Sequence, residues 1–494
     1  LKINPLTPKS NEQPTHYAMR VAEWYKSWQK VKTELGQYFT PQPVAEFMTQ
    51  GIQTQQTTLR VLDAGAGMGI LACAVCENVL ANIELIAYEI DNQIADCLEI
   101  VLDYTRQWMS TQGRLLTYTI HRHDFILCNA HALALSLNDD ALFDVVISNP
   151  PYLKISKADP RAVLAERIVH GQPNLYVLFM AVGGALLRAG GQFIFITPRS
   201  YMSGAYFQRF REFFWALMNI TTVHLFVSRK DVFESVLQES MIIWAERGSQ
   251  NHEFRVSSSI DSKNLHQSQQ NDFVFQDLLG EGSVLHIPLS HKDFHITKLF
   301  QTWAGRLEHY GMAVSTGRVV AFRASQWIET EGDITQNHAP LLWLHNIQSM
   351  QWQWPVEAKP QYISVKASKS LLVSNQNYIL MRRFSPKEGR RLTATPYTST
   401  LNTQWLGLEN HLNYIYRKIG EMSELEIYGL SIFLSSQWVD AYLRQVSGNT
   451  QIGATEIRNL PLPPLESIEE MGRLYLGNTM DIDSIVAETL GIYA

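Results

Sequence analysis

The sequence has little cysteine. Four occur among 494 residues, Cys73, Cys76, Cys97 and Cys128, all in the first third. That excludes a disulfide-stapled scaffold. A zinc site of the paired kind needs a second cysteine pair or suitably spaced histidines, and neither accompanies Cys73 and Cys76. Those two lie inside "GILACAVCENVL", whose composition predicts a buried helix, so core packing accounts for them and no metal is expected. Long hydrophobic runs are missing too. No stretch approaches the roughly 20 apolar residues that span a bilayer. The opening "LKINPLTPKSNEQPTHYAMR" holds no apolar core of the signal-peptide type, which sets the expectation of a cytoplasmic protein. Excess positive charge is also lacking. A formal net charge of −6 argues against nonspecific basic coating but leaves room for a locally basic groove.

What is present is globular: 46% hydrophobic and 11% aromatic residues, in a chain long enough for two or three domains. Tyr17, Val21, Trp24, Tyr25 and Trp28 share one face at helical spacing, predicting an N-terminal helical arm over 1–35. From Arg60 short apolar strands alternate with helices: "RVLDAGAG", "GILACAVCENVL", "ELIAYEID", "NQIADCLEIVLDYT", and onward to "QFIFITP" and "SMIIWAE". Such alternation predicts a doubly wound, Rossmann-like, mostly parallel α/β sheet. The helix "LYVLFMAVGGALLRAGG" is expected to close on its last two glycines. From Ser257, "SSSIDSKNLHQSQQND" is polar and aperiodic, as a linker would be. The expected division is an arm over 1–35, an α/β domain over 36–256, and a mixed α+β domain over 257–494.

The turn "VLDAGAGMGI" puts Asp63 at a strand end and Gly65, Gly67 and Gly69 beyond it. Glycines let a ligand approach the backbone, and in open α/β sheets ligands sit beyond the carboxyl ends of the strands. Glu89 ends the next strand, where a carboxylate can accept both hydroxyls of a ribose. Asp124, after the third strand, can accept from an adenine amino group, with Phe125 packing on the base. These residues point to a nucleoside. The dinucleotide fingerprint G-x-G-x-x-G is shaped around a pyrophosphate; here the spacing is G-x-G-x-G after an acid. Asp63 would repel a pyrophosphate and suits the cationic sulfonium and amino group of S-adenosylmethionine, which is favoured over NAD.

In "FDVVISNPPYLKI" a strand ends at Asn149, and Pro150, Pro151 and Tyr152 follow. Two prolines stop strand pairing and stiffen the backbone. An exocyclic amine on a nucleobase is a poor nucleophile, because its lone pair is delocalised into the ring. The Asn149 side-chain oxygen and the Pro150 carbonyl can accept its two hydrogens, pull the nitrogen toward tetrahedral and stabilise the charge that develops on attack. Tyr152 offers a face for the base to stack on. The same tetrapeptide also suits the planar nitrogens of RNA bases and of glutamine.

With these motifs in this order, the chain resembles the N6-adenine DNA methyltransferases of type II restriction–modification systems, in the gamma arrangement, from Gly36 to about Ala245. "GQYFTPQPVAEFM" is similar to the cofactor-side motif, which implies that Phe39, Thr40 and Pro41 border the methionine part. "LDAGAGMG" resembles the first cofactor motif, including Ala64; "AYEID" the ribose acid with Ile90; "HDF" the adenine contact; and "NPPY" the catalytic signature. "DVFESVLQESMIIW" is similar to the segment that supplies a second aromatic against the extruded base, which makes Phe233 the candidate. The resemblance implies a class I fold dependent on S-adenosylmethionine, an adenine flipped out of double-stranded DNA, a target-recognition role for 257–494, a separate cognate restriction endonuclease, and a monomer. No Pro-Cys pair occurs, which excludes cytosine-C5 chemistry with its cysteine nucleophile.

Candidate DNA contacts are the basic run "RRFSPKEGRR", with Arg382, Arg383, Lys387, Arg390 and Arg391, and then Arg318 and Arg323 flanking "VVAF". A solvated basic loop is the competing account of that run. Glu357 and Lys359, with Asp333 upstream, have the shape of a nuclease motif, but three-residue matches are common by chance.

Overall fold

The computed structural model describes residues 6–28, 39–133, 142–169, 172–227, 240–248, 253–334, 337–357, 359–384, 389–446, 451–477 and 480–492. The chain divides into two compact units, Leu1–Ser290 and His291–Ala494.

The first unit holds β1 (Thr58–Ala64), β2 (Asn82–Tyr88), β3 (Leu116–His121), β4 (Phe143–Ser148), β5 (Leu187–Pro198), β6 (Met218–Phe226), β7 (Ser240–Arg247), β8 (Glu253–Ser259) and β9 (Gln269–Val274). Its helices are α1 (Pro14–Trp28), α2 (Gln42–Thr49), α3 (Ile70–Asn78), α4 (Asn92–Thr111), α5 (Phe125–Asn129), α6 (Pro160–Leu164), α7 (Leu175–Leu186) and α8 (Gln208–Leu217). The nine strands form one sheet in the order β3-β2-β1-β4-β5-β7-β6-β8-β9. The first five are parallel. β7 runs antiparallel between β5 and β6.

Both faces of the sheet are covered, which is why β4 is buried at every position and its sequence is a continuous apolar run rather than an alternation. Val145 and Ile147 join the core built with α1 to α4. Val146 faces the other way, toward α7: a Cβ on Gly183 would lie 3.2 Å from Val146 and 3.1 Å from Phe195. The strand order reverses between β1 and β4, where Asp63 lies opposite Ile147. The glycine turn beyond β1 and Asn149 beyond β4 therefore emerge side by side.

Three expectations change. The N-terminal helix is not a separate arm: Tyr17, Val21 and Tyr25 of α1 are buried in the main core, and the Tyr17 and Tyr104 rings are 4.8 Å apart. An aromatic stripe of that size is worth more inside a core than in water. The polar segment after Val256 does not end the sheet, because β8 continues to Ser259 and Gln269–Val274 adds an antiparallel edge strand. An edge strand with a solvated face carries polar residues, so its sequence resembles a linker. α7 stops at Leu186, and β5 starts at Leu187 instead of after the two glycines. Pairing begins early there, with Phe143 opposite Leu187 and a register shift before Val145.

The second unit is mixed. One antiparallel sheet orders Met312–Thr316, Leu412–Arg417, Asn377–Arg382 and Ala394–Thr398; a second has five short strands. Helices Glu424–Ser435, Gln437–Val446, Leu465–Gly477 and Ile482–Leu490 complete its core. No helix among the described residues is long and apolar enough to cross a membrane. Cys73, Cys76 and Cys97 are buried free thiols in the main core, which for Cys73 and Cys76 is what their apolar context predicts.

Candidate active site

A cavity of about 640 Å³ opens beyond the carboxyl ends of β1 to β4. Nine residues expected from the sequence line it: Phe39, Gly65, Gly67, Glu89, Ile90, Asp124, Phe125, Asn149 and Pro151. Thr40, Pro41, Asp63, Ala64, Gly69, Pro150 and Tyr152 adjoin these positions in sequence or in space but are not among its lining residues.

The glycine turn is left-handed at Gly67, φ 55°, and Gly69, φ 78°, a conformation that side chains disfavour. A Cβ on Gly69 would also lie 2.7 Å from Leu98. Glu89 holds the turn in place. Its two oxygens accept the Gly67 N–H at 3.0 Å and the Asp91 N–H at 2.8 Å. A carboxylate offers about four lone-pair sites, so both oxygens retain acceptor capacity. Burial raises its pKa, against those hydrogen bonds. Asp63 lies under the turn, wholly buried, with neither oxygen in a normal hydrogen bond. Burial pushes its carboxyl up to about 7; the Ala72 N–H lowers it in part and the Glu89 charge raises it further. Such an unneutralised acid suits a cationic ligand nearby.

At the mouth, Asn149 donates from Nδ2 to Thr40 Oγ1 at 3.1 Å, which fixes which way its amide points. The Ser148 hydroxyl donates to the Ala64 carbonyl, tying the ends of β4 and β1 together. Tyr152 donates its hydroxyl to the Ile196 carbonyl at 3.1 Å, and its ring meets Tyr176 edge-on at 6.2 Å. Its ring is therefore held at both ends. Phe233 lies outside the described residues.

Asp124 has a partner the sequence reading missed. One oxygen caps α5 by accepting the Leu127 N–H at 2.9 Å; the other pairs with Arg161 at 3.3 Å. Arg161 also grips Asp159, at 2.8 and 2.6 Å, and lines the cavity together with Phe179 and His123. The signal was present in "ADPRAVL". Asp-Pro marks a helix N-cap and first position, and the Asp159 side chain does accept the Arg161 N–H at 3.0 Å. Phe179 carried no such signal: its ring reaches Phe125, 5.0 Å away, only through the packing of α7.

In the second unit Arg318 and Arg323 are exposed. The basic run is not a uniformly solvated loop. Arg391 is 5% exposed, and its N–H donates to Asp440 at 2.7 Å. Arg390 pairs with Asp483 and donates to the Ser435 carbonyl. Arg382 is half-buried, with Nε lacking a partner and its pKa lowered by burial. Arg383 donates to the Asn410 carbonyl at 2.7 Å. Lys387 lies outside the described residues. The run lies between two strands that pair, and its C-terminal end, Arg390 and Arg391, is carried against the unit's helices.

The strand order, the antiparallel β7 and the glycine turn beside Asn149 together define a class I methyltransferase fold. Residues 84–233 match the family described as Eco57I restriction-modification methylase. The chain is 30% identical over 487 residues to the type II methyltransferase M.BsuBI of Bacillus subtilis, spanning 93% of this chain and 95% of that protein. It is 29% identical over 456 residues to the type II methyltransferase M.PstI of Providencia stuartii, 89% of each. The chain belongs to the type II restriction–modification methyltransferases. Among solved structures it is similar to the type IIL restriction-modification enzyme MmeI in complex with DNA, with TM-score 0.53 and 10% identity over 97% of this chain and 74% of that one. It also resembles a nuclease-deletion mutant of the type ISP enzyme LlaGI, with TM-score 0.55 and 10% identity over 94% of this chain and 48% of that one. At such identity these two likenesses concern the fold alone.

Proposed function

We propose that the protein transfers a methyl group from S-adenosylmethionine to the N6 amine of an adenine in a specific double-stranded DNA sequence. The target base would be rotated out of the duplex, and the modification would protect that DNA from a separate cognate endonuclease. The observation that carries the reading is the position of Asn149. Its amide, anchored on Thr40, lines the same cavity as Gly65, Gly67 and Glu89.

The residues present fit the cofactor. The cavity has the size of a small-molecule site, Glu89 keeps lone pairs for two ribose hydroxyls, and Asp63 is a buried acid without a counter-charge. Asp124 and Phe125 would hold the adenine ring with Ile90, and Phe39, Thr40 and Pro41 would border the methionine part. When bound, S-adenosylmethionine supplies an electrophilic methyl group on a cationic sulfur. The chain's own work is on the amine. The Asn149 oxygen and the Pro150 carbonyl accept its two hydrogens as positive charge develops, and the proton leaves afterwards to solvent, so no strong base is needed. Pro151 stiffens that carbonyl. Tyr152, and Phe233 on the family resemblance, would stack on the base. The second unit would supply sequence recognition, and the protein would act as a cytoplasmic monomer without a metal.

The test is methyl transfer from labelled cofactor with three acceptors: plasmid DNA, a tRNA and rRNA mixture, and release-factor protein. Label should enter DNA as N6-methyladenine and vanish with Asn149→Ala. Label confined to RNA or protein would overturn the reading.

A further inference from the structure

The second unit leaves a large ring in water on a rigid support. Phe322 is 77% exposed, with the Arg323 guanidinium over it at 5.3 Å and exposed Arg318 four residues earlier. This stretch is pinned to the turn Glu409–His411. The Gly317 N–H donates to the Leu412 carbonyl at 2.9 Å, Val319 N–H to Leu408 at 3.0 Å, and Asn410 N–H to Val319 at 2.9 Å. Val319 is fully buried. A Cβ on Gly317 would lie 2.2 Å from the Glu409 carbonyl oxygen, so only glycine allows the two backbones to approach this closely.

A second ring hangs on the same turn. The Arg383 N–H donates to the His411 carbonyl at 2.9 Å, and its guanidinium sits 5.9 Å over Phe384. Phe384 is 40% exposed and packs on the His411 ring at 5.2 Å. The single acid of the turn, Glu409, is 1% exposed. Its carboxylate accepts the His411 N–H at 3.0 Å and meets Nδ1 at 2.7 Å. The turn's own acid is thus covered, and the segments that carry the two rings and the three arginines are both hydrogen-bonded to that turn.

We propose that Phe322 is a stacking wedge for DNA, flanked by Arg318 and Arg323 on phosphates, and that Phe384 with Arg383 is a second contact of the same kind. This rests on the DNA reading above. A ring face takes any base, and a guanidinium beside it neutralises the backbone, so the pair matches a polyanion with planar bases. A neutral apolar partner would offer no counter-charge to the exposed Arg318 and Arg323.

The test uses the full chain and a duplex carrying its target site, first located by single-molecule sequencing of DNA from expressing cells for modified adenines, with 2-aminopurine walked along it. Phe322→Leu should weaken duplex binding about tenfold and abolish the fluorescence change at one step, while Phe322→Trp keeps both, as stacking requires. Phe384→Leu should weaken binding less. Arg323→Ala should lower the salt slope of binding by about one. Cofactor affinity by calorimetry should stay at the wild-type value in every variant. A wild type that binds DNA while Phe322→Leu binds equally well overturns the wedge alone. A wild type that binds no duplex overturns the DNA reading, and the wedge with it.

Discussion

The cleft of the first unit and the basic surface of the second both gather residues from distant positions, by different means. In the cleft, Asp63, Glu89, Asp124 and Asn149 each sit at or just past the carboxyl end of a parallel strand. Sheet order alone brings such ends together. On the second unit, arginines from one short run are sorted individually. Arg390 goes to Asp483 and Arg391 goes inside, whereas Arg383 stays beside an exposed ring. A position at a strand end is set by local periodicity, but the fate of a charged side chain near a hairpin depends on partners far away in sequence.

Removing the side chain that the cleft aims most directly should cost most. Asn149→Ala deletes one of the two acceptors proposed for the amine. Methyl transfer should fall at least about 10²–10³-fold, the usual loss when one preorganised group is removed, while cofactor affinity by calorimetry changes little. Equal losses in transfer and in cofactor affinity would mean that Asn149 serves the cofactor wall instead.

Asp63 tests whether the cleft's electrostatics come from burial. In the folded chain its carboxyl holds its proton up to about pH 7, against 3.8 for the ordinary group. Between those values the native state binds more protons than the unfolded one. Stability therefore falls as pH rises through that window and levels off above it. The whole penalty is on the order of 4 kcal/mol at about 1.4 kcal/mol per unit. Asp63→Asn removes it. Without cofactor, the variant should melt higher than wild type at pH 8, match it near pH 4, and bind S-adenosylmethionine more weakly. Parallel melting curves for the two proteins across pH 4–8 would rule out an isolated buried acid.

The contrast also explains how much was legible. The parallel sheet, the glycine turn, Glu89 and Asn149 follow from period, strand ends and turn chemistry, all properties of neighbouring residues. α1 was legible as a helix from Tyr17, Val21 and Tyr25, but its place inside the core was not, because an apolar stripe does not name what covers it. Gln269–Val274 was missed for the opposite reason: an edge strand with polar residues carries no apolar period. The buried state of Arg391 and the pairing of Arg390 had no local signal at all.

Arg161 lies between these cases, since a local cap places it and a distant acid uses it. By holding one Asp124 oxygen, it fixes the carboxylate proposed to meet the adenine amine. Arg161→Ala should weaken cofactor binding about tenfold with a smaller effect on the maximal rate, because a charge-assisted hydrogen bond is worth about 1.5–3 kcal/mol and Asp124 keeps its helix-cap contact. Arg161→Lys should recover part of the loss. A variant with normal cofactor affinity would show that Arg161 serves only the cap at Asp159.

The smallest effects should separate the arginines of the second unit from one another. Arg390 ties Ser435 and Asp483 together, so Arg390→Ala should cost about 1–2 kcal/mol of stability, in the range of one partly screened pair plus one hydrogen bond. In a chain of this size that is a shift of a few degrees in melting temperature. Arg318 is exposed, with the Tyr414 hydroxyl beside it, and Arg318→Ala should lower the melting temperature less than Arg390→Ala does. Its main cost should fall on DNA binding: a uniform loss across sequences and a salt slope smaller by about one, as for a phosphate contact. Composition treats the two arginines alike, and only their partners assign one to the fold and the other to the ligand. If both variants shift stability equally and neither shifts the salt slope, the exposed arginines belong to the scaffold as well, and the contrast between the two regions fails.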